Sequence, residues 1–342
     1  MSINHQRAAG AFVAAAAFAL LAACSSEKIT AASNATTRLA VTTRLQNKPA
    51  FLLQNLDGRD TTRLHFQNVT DAIPGNSDQL TLSDNGILNV AQPRFSTLGG
   101  KVAVVVTAAF DQSEVVIFDL NTGHAEVASP NTQIVFGAVD WAISEASIAY
   151  TMSTIFNAGV DLFTTDLATH QVKRLTTGAN LSQASVRWQP DGAAVLYSQH
   201  TGDAKDAGNN WISQVARVKV ASSVVDTLRA GITGQVQAIS RSGLWALVIR
   251  RRSIGVDTFR ADLQRVSLVD GTVTPLVSDE MIMSAQLAAD ETRVLVATGI
   301  GPAGVTQVYD LIELSTGARA RIPGVGGQVN VDVSPRTVFP VD

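Results

Sequence analysis

From Arg38 onward the hydrophobic positions do not recur every 3.6 residues over any long stretch. Short runs rich in Val, Ile and Leu alternate instead with clusters of Gly, Asn, Asp and Ser. Runs of this length between turn residues predict strands. The runs are organised in copies. Phe95-Ser96 precedes Gly99-Gly100, then Val102 to Val106, then Val115 to Phe118, then Asp119-Leu120-Asn121-Thr122-Gly123. Another copy carries Val186-Arg187-Trp188-Gln189-Pro190-Asp191-Gly192, then Ala194 to Ser198, then Trp211 to Val220. The aligned centres Phe95, Trp141, Trp188, Ile239, Leu287 and Val331 lie 46, 47, 51, 48 and 44 residues apart.

A period of this length with four short strands is the signature of a β-propeller blade. Residues 329–335 look like the start of a copy, and residues 51–64 like the end of one, with Arg38 to Leu45 supplying its second strand. One blade assembled from both ends of the chain would cover open sheet edges. The expected fold is therefore all-β: a six-bladed β-propeller over residues 38–342, with one blade closed by both termini.

Gln189-Pro190-Asp191-Gly192, Asp119-Leu120-Asn121-Thr122-Gly123 and Arg174-Leu175-Thr176 resemble the repeat of the TolB-like, or PD40, six-bladed propellers. Two copies depart from it: Ile143-Ser144-Glu145-Ala146 lacks the Gly, and Ser96-Thr97-Leu98-Gly99 lacks the Asp. The resemblance implies a fold and leaves function open. The family places an α/β domain ahead of the blades, whereas about a dozen residues separate Cys24 from Arg38 here. A role in the Tol–Pal envelope system is therefore not implied.

The first 23 residues read as an address. His5 and Arg7 precede an apolar, Ala-rich run from Ala8 to Ala23, too short for a spanning helix. Leu21-Ala22-Ala23-Cys24 resembles the bacterial lipobox, whose Cys is acylated after cleavage just before it. Cys24 is the chain's single Cys, so an intrachain disulfide is excluded and a lipid anchor gives the residue a purpose. Ser25, rather than Asp, follows it, which the family pattern associates with the outer membrane. Residues 24–37 would then be the lipidated Cys and a flexible tether. The expected location is the bacterial envelope, on an outer-membrane lipid anchor facing the periplasm or the cell surface.

Composition narrows the rest. The net charge of −3, with 26 Lys and Arg against 29 Asp and Glu, leaves no basic footprint for nucleic acid. With 46% hydrophobic residues the chain is no candidate for disorder. The sequence contains no nucleophile elbow, zinc-protease helix motif, P-loop or dinucleotide fingerprint. No catalytic residue, metal ligand or cofactor is assigned. His65, His124, His170 and His200 are scattered. Asp57, Asp119, Asp166 and Asp270 recur where Asp stabilises a turn. Trp141, Trp188 and Trp245 suit the wedge between neighbouring blades.

One face stands out. The 199–210 segment, with His200, Asp203, Asp206, Asn209 and Asn210, is expected to form a long loop between second and third strands. Arg250, Arg251 and Arg252 fall at the corresponding place in the next copy. The insert at residues 67–91 ends at the start of an innermost strand, which belongs to the same face. Long, dissimilar loops on a rigid scaffold are where function concentrates. The expected partner there is a protein or a polar, anionic ligand. The function expected is that of a non-enzymatic, membrane-tethered binding or scaffold lipoprotein. The alternative is a propeller enzyme acting on a carbohydrate or lactone, which would need carboxylates, His or a metal converging at the channel mouth.

Overall fold

The computed structural model describes residues 38–45, 48–55, 62–64, 70–71, 87–109, 112–129, 134–153, 160–178, 181–205, 211–228, 232–255, 258–288, 291–300, 306–322 and 330–333. Residues 1–37, including Cys24, lie outside them, as do Asp57, His65, Asp206, Asn209, Asn210 and most of the 67–91 insert. Every regular element described is a strand, and none of the described residues belongs to a helix able to cross a membrane.

The strands form six sheets. In five of them, each run of consecutive strands makes an antiparallel meander. The first holds β5 (Asn89–Phe95), β6 (Lys101–Ala109), β7 (Gln112–Asp119) and β8 (Ala125–Val127), with β4 (Thr70–Asp71) added parallel to β8. The second holds β9 (Ile134–Trp141), β10 (Ser147–Ser153), β11 (Val160–Asp166) and β12 (Val172–Arg174). The third holds β13 (Leu181–Trp188), β14 (Ala194–Lys205), β15 (Trp211–Lys219) and β16 (Val225–Thr227). The fourth holds β17 (Gln235–Ile239), β18 (Trp245–Gly255), β19 (Thr258–Ser267) and β20 (Val273–Glu280). The fifth holds β21 (Ile282–Leu287), β22 (Arg293–Ile300), β23 (Thr306–Glu313) and β24 (Arg319–Arg321).

These five are propeller blades of the expected design. The sixth sheet is put together differently from these five, from both ends of the chain as the sequence led us to expect. Its strands β1 (Arg38–Leu45), β2 (Lys48–Asn55) and β3 (Thr62–Leu64) come from one end of the chain. Its remaining strand, β25 (Asn330–Val333), comes from the other end and pairs antiparallel with β1, Leu39 opposite Val333 and Val41 opposite Val331.

The second strands explain why the hydrophobic runs are continuous. A sheet packed on both faces has no wet side, so every position is apolar. Val102 to Val106 are all buried, but alternate residues serve different neighbours. Val102, Val104 and Val106 pack with Ala40 and Phe51 of the composite sheet, where the rings of Phe51 and Phe118 lie 5.5 Å apart. Ala103 and Val105 pack with Ile148 and Tyr150 of the second blade. The pattern continues through Ala149 with Val195, Leu196 with Val248, and Leu247 with Val294. Five interfacial cores are thus formed among the described residues.

The turns between first and second strands are alike. The amide of the fourth turn residue donates to the first residue's carbonyl: Gly99 to Ser96, Glu145 to Ala142, Gly192 to Gln189, Gly243 to Ser240, Glu291 to Ala288. All five donors have left-handed φ, from +54° to +75°. Gly is at home there, but a residue with a Cβ loses roughly 1–2 kcal/mol. The two glutamates offset this with a bond that Gly cannot make. Glu145 accepts the Leu98 amide and Glu291 accepts the Arg241 amide, each in the preceding blade's turn.

Candidate functional site

The innermost strands end together beside a cavity of about 170 Å³. Its wall is built from the ends of β5, β9, β13, β17 and β21 and the turns that follow them. The residue before each aligned centre is Arg94, Asp140, Arg187, Ala238 and Gln286, so four of five are polar in strands otherwise suited to a core. That recurrence was visible in the repeat and marks the residues that the motif search passed over.

These side chains join the blades. Arg94 Nε donates to Asp140 Oδ1 at 2.9 Å, and the Trp188 amide donates to Asp140 Oδ2 at 2.8 Å. Arg187 donates through Nε to the Gln237 carbonyl, and Gln237 Oε1 accepts the Ala285 amide at 3.2 Å. Arg94 also donates through Nη1 to Gln286 Oε1. The bonds run from the first blade through the second, third, fourth and fifth, then back to the first. Such a buried network holds its geometry only while every member is satisfied.

Two indoles flank the axis at equivalent places. Trp141 Nε1 donates to the Arg94 carbonyl at 3.0 Å. Trp188 is also buried, yet its Nε1 finds no acceptor among the described residues. The cavity edge carries exposed Arg241 and exposed Ile143, together with Glu291. The turns on this face also expose Leu98, Leu244, Val224 and Val269.

The face expected from the sequence lies at the other end of the innermost strands. His200 and Asp203 sit within β14, which extends to Lys205, so the anticipated 199–210 loop is strand for more than half its length. Asp206, Asn209 and Asn210 lie outside the described residues. Arg250, Arg251 and Arg252 are not a strand-end cluster but interior residues of β18, opposite Asp262, Ala261 and Arg260 of β19. Strand alternation therefore divides them. Arg250 and Arg252 are exposed, and Arg252 pairs with Asp279. Arg251 turns inward, donates to the Met283 carbonyl at 2.7 Å and lies 5.1 Å from the Phe259 ring centroid. Burial lowers its pKa, as expected when a cation loses water. The three arginines do not present one anion-binding patch.

The turn aspartates follow the sequence reading, with one change. Asp119 Oδ1 accepts amides of Asn121 and Thr122 at 2.9 and 3.0 Å, and Asp166 Oδ1 those of Ala168 and Thr169 at 3.1 and 2.8 Å. These bonds hold both carboxyls below their usual range. Asp270 is not at the same position: Ser267 occupies it, and Asp270 caps the next step by accepting the Thr272 amide at 2.9 Å. His124 and His170 lie in the corresponding turns of separate blades. Among the described residues no three His, Cys, Asp or Glu side chains are grouped to hold a metal ion.

No known family profile matches the chain, and no curated protein matches it. Solved structures do. TolB from Acinetobacter baumannii is 19% identical with a TM-score of 0.65, the alignment covering 87% of this chain and 66% of that one. The chain thus spans just under two thirds of that protein's length. A structure of a nidogen/laminin complex aligns at 7% identity and a TM-score of 0.60, over 88% of this chain and 99% of that one. Oligogalacturonate lyase from Vibrio parahaemolyticus aligns at 10% identity and a TM-score of 0.51, over 83% and 73%. At these identities the likeness concerns the fold, an all-β propeller like that of TolB, and proteins of unrelated activity share it.

Proposed function

We propose that the protein is a non-enzymatic binding lipoprotein of the bacterial envelope, whose propeller recognises its partner at the cavity between the innermost strand ends. The observation that carries this reading is the loop of hydrogen bonds through Arg94, Asp140, Arg187, Gln237 and Gln286. The acids a reaction would need are committed to the framework: Asp140 serves Arg94 and the Trp188 amide, and Glu291 serves the Arg241 amide. What they leave at the rim is a rigid, amphipathic recognition surface. In this reading the composite sheet is a sixth blade and closes the ring. The lipobox-like Leu21-Ala22-Ala23-Cys24 supplies the tether, to the outer membrane because Ser25 follows. Anchoring by more than one acyl chain is stable where a single chain is not. The exposed Arg250 and Arg252 on the opposite face are a secondary contact surface for a polar or anionic partner.

Mild crosslinking in envelope membranes, followed by capture, tests both parts. Wild type should fractionate with membranes and incorporate labelled fatty acid, and Cys24→Ala should do neither. Arg241→Glu, at the exposed rim, should lose the crosslinked partner, while the Arg250→Ser/Arg252→Ser variant should retain most of it. Capture that survives Arg241→Glu but disappears in the double variant would move the site to the other face.

A further inference from the structure

The aliphatic side chains that the propeller exposes are not shared evenly between its two faces. In an antiparallel meander the turns between first and second strands, and between third and fourth, fall at one end, here the mouth face. These turns expose Leu98, Ile143, Val224, Leu244 and Val269, each between 44% and 61% exposed. Val225 and Val273 begin fourth strands beside them. Leu88, Ile254 and Ile300 lie at the opposite face. Among the described residues the mouth face thus carries seven of the ten large exposed hydrophobics. Singly, such residues are ordinary. Here they project from turns of the first four blades, so they are spread across a face rather than gathered in a groove.

The chain's entry into the propeller points the same way. Arg38 opens β1 and opposes Asn55 at the end of β2, as Lys101 opposes Asp119 and Ser147 opposes Asp166 in the first two blades. With the composite sheet as the sixth blade, Arg38 stands at the mouth face, and Cys24 is 14 positions before it. A flexible chain of that length has an r.m.s. span of about 20 Å. An eight-residue strand such as β1 is longer, roughly 26 Å. Presenting the opposite face to the bilayer would therefore stretch the tether past the full height of a blade. We propose that the mouth face rests on the lipid surface that holds Cys24, with the aliphatic turn residues inserted at headgroup level. The inference rests on the lipid tether and closed ring of the reading above, and it turns the mouth toward the bilayer, so its partner is one presented at the membrane surface. Interfacial binding of this kind scales with the apolar area buried. Asp119, Asp166 and Asp270 share these turns, so attraction to anionic lipid is not what holds the face. The surface fits a zwitterionic bilayer, and the contact should survive salt.

Nitroxide quenching in the full lipidated chain, reconstituted in phosphatidylcholine vesicles, tests it. Cys24 is the single Cys and would carry the lipid, so one introduced Cys takes the fluorophore. Leu98→Cys and Val269→Cys place it on the mouth face, and Ile300→Cys on the other, all at exposed residues. Lipid bearing the nitroxide at its headgroup should quench both mouth probes about twofold or more above the Ile300 probe. The difference should persist in about 0.5 M salt. Equal quenching at all three positions, or stronger quenching of the Ile300 probe, would overturn the proposal. Ile143→Ser/Leu244→Ser in the Val269→Cys background separates contact from tethering: quenching should fall by about half with the melt unchanged. Unchanged quenching there would mean that the tether alone sets the geometry, and would overturn docking through these side chains. If the chain takes no labelled fatty acid, the tether falls and this inference falls with it. If it is lipidated and floats with vesicles while the probes do not differ, the tether stands and the docking falls.

Discussion

Asp140→Ala should cost far more stability than its single carboxylate suggests, because that carboxylate links three blades. It belongs to the second blade, binds Arg94 of the first at 2.9 Å and the Trp188 amide of the third at 2.8 Å. Both side chains of the ion pair are mostly buried, 17% exposed for Arg94 and 11% for Asp140. Breaking a buried pair by removing one partner costs about 3–5 kcal/mol. Arg94 keeps its bond to Gln286 Oε1, so the low end applies, about 3 kcal/mol. The orphaned Trp188 amide adds about 1 kcal/mol. A loss of about 4 kcal/mol in a domain of this size corresponds to a Tm lower by roughly 8 °C. Thermal melts followed by circular dichroism would read it. Asp140→Asn, which retains an acceptor for the amide, should lose about half as much. The double variant Arg94→Met/Asp140→Leu should regain most of the ion-pair loss, since apolar replacement of both partners is often neutral. Asp140→Ala melting within about 2 °C of wild type, or a double variant no better than the sum of the singles, would refute the reasoning.

Two further outcomes depend on individual turns. Gly234 has φ +125°, and a Cβ there would lie 2.6 Å from the Ile249 carbonyl oxygen and 2.8 Å from Val248 Cγ1. Gly234→Ala should therefore cost about 3 kcal/mol. Gly123→Ala, at φ +71° with nothing within 4 Å of the added methyl, should cost only about 1 kcal/mol. Equal urea midpoints for the two variants would contradict this. At the Asp270 turn, the Ser267 hydroxyl and then the Thr272 amide and hydroxyl hold the carboxyl at about 2. A carboxyl lowered on folding stabilises the native state above its unfolded value of about 3.9 and loses that contribution as pH falls through its folded value. Asp270→Asn removes the titration, so its urea midpoint should fall less steeply than wild type between pH 4 and pH 2. Parallel pH profiles would contradict the assignment.

The repeat made the blades legible because packing on both faces leaves few choices. Val102 to Val106 must all be apolar, and a continuous run between turns announces it. The turn at Gln189-Pro190-Asp191-Gly192 was legible for the same local reason, its Gly192 meeting a left-handed φ. Glu145 and Glu291 broke that pattern, and their compensation, a bond to the neighbouring blade, depends on residues about 50 positions away. The arginines at 250–252 misled for a different reason. Adjacency in sequence suggested one cluster, but a strand sends alternate side chains to opposite faces, so Arg251 went inward. The placement of strand ends also hid β14, which runs on to Lys205: Gln199, His200 and Lys205 still pair with β15, with an irregularity in register between His200 and Lys205. The axial network was half legible. Arg94, Asp140 and Arg187 recur at one repeat position, but their pairing depends on how far each blade is rotated about the axis.

The account depends most on the two ends of the chain sharing one sheet, since that closure would make a ring and fix the mouth. Oxidative crosslinking of Val41→Cys/Val331→Cys, in a Cys24→Ser background, tests it directly. These residues are register partners in β1 and β25, and opposed antiparallel residues have Cα atoms about 4.5–5.5 Å apart, within disulfide range. The prediction is near-complete intramolecular crosslinking in the native protein, abolished by denaturation before oxidation. The shifted pair Thr42→Cys/Val331→Cys should crosslink poorly, because one step along a strand moves the side chain to the other face. No crosslink at 41 and 331, or equal yields from the two pairs, would contradict a sheet shared by both ends.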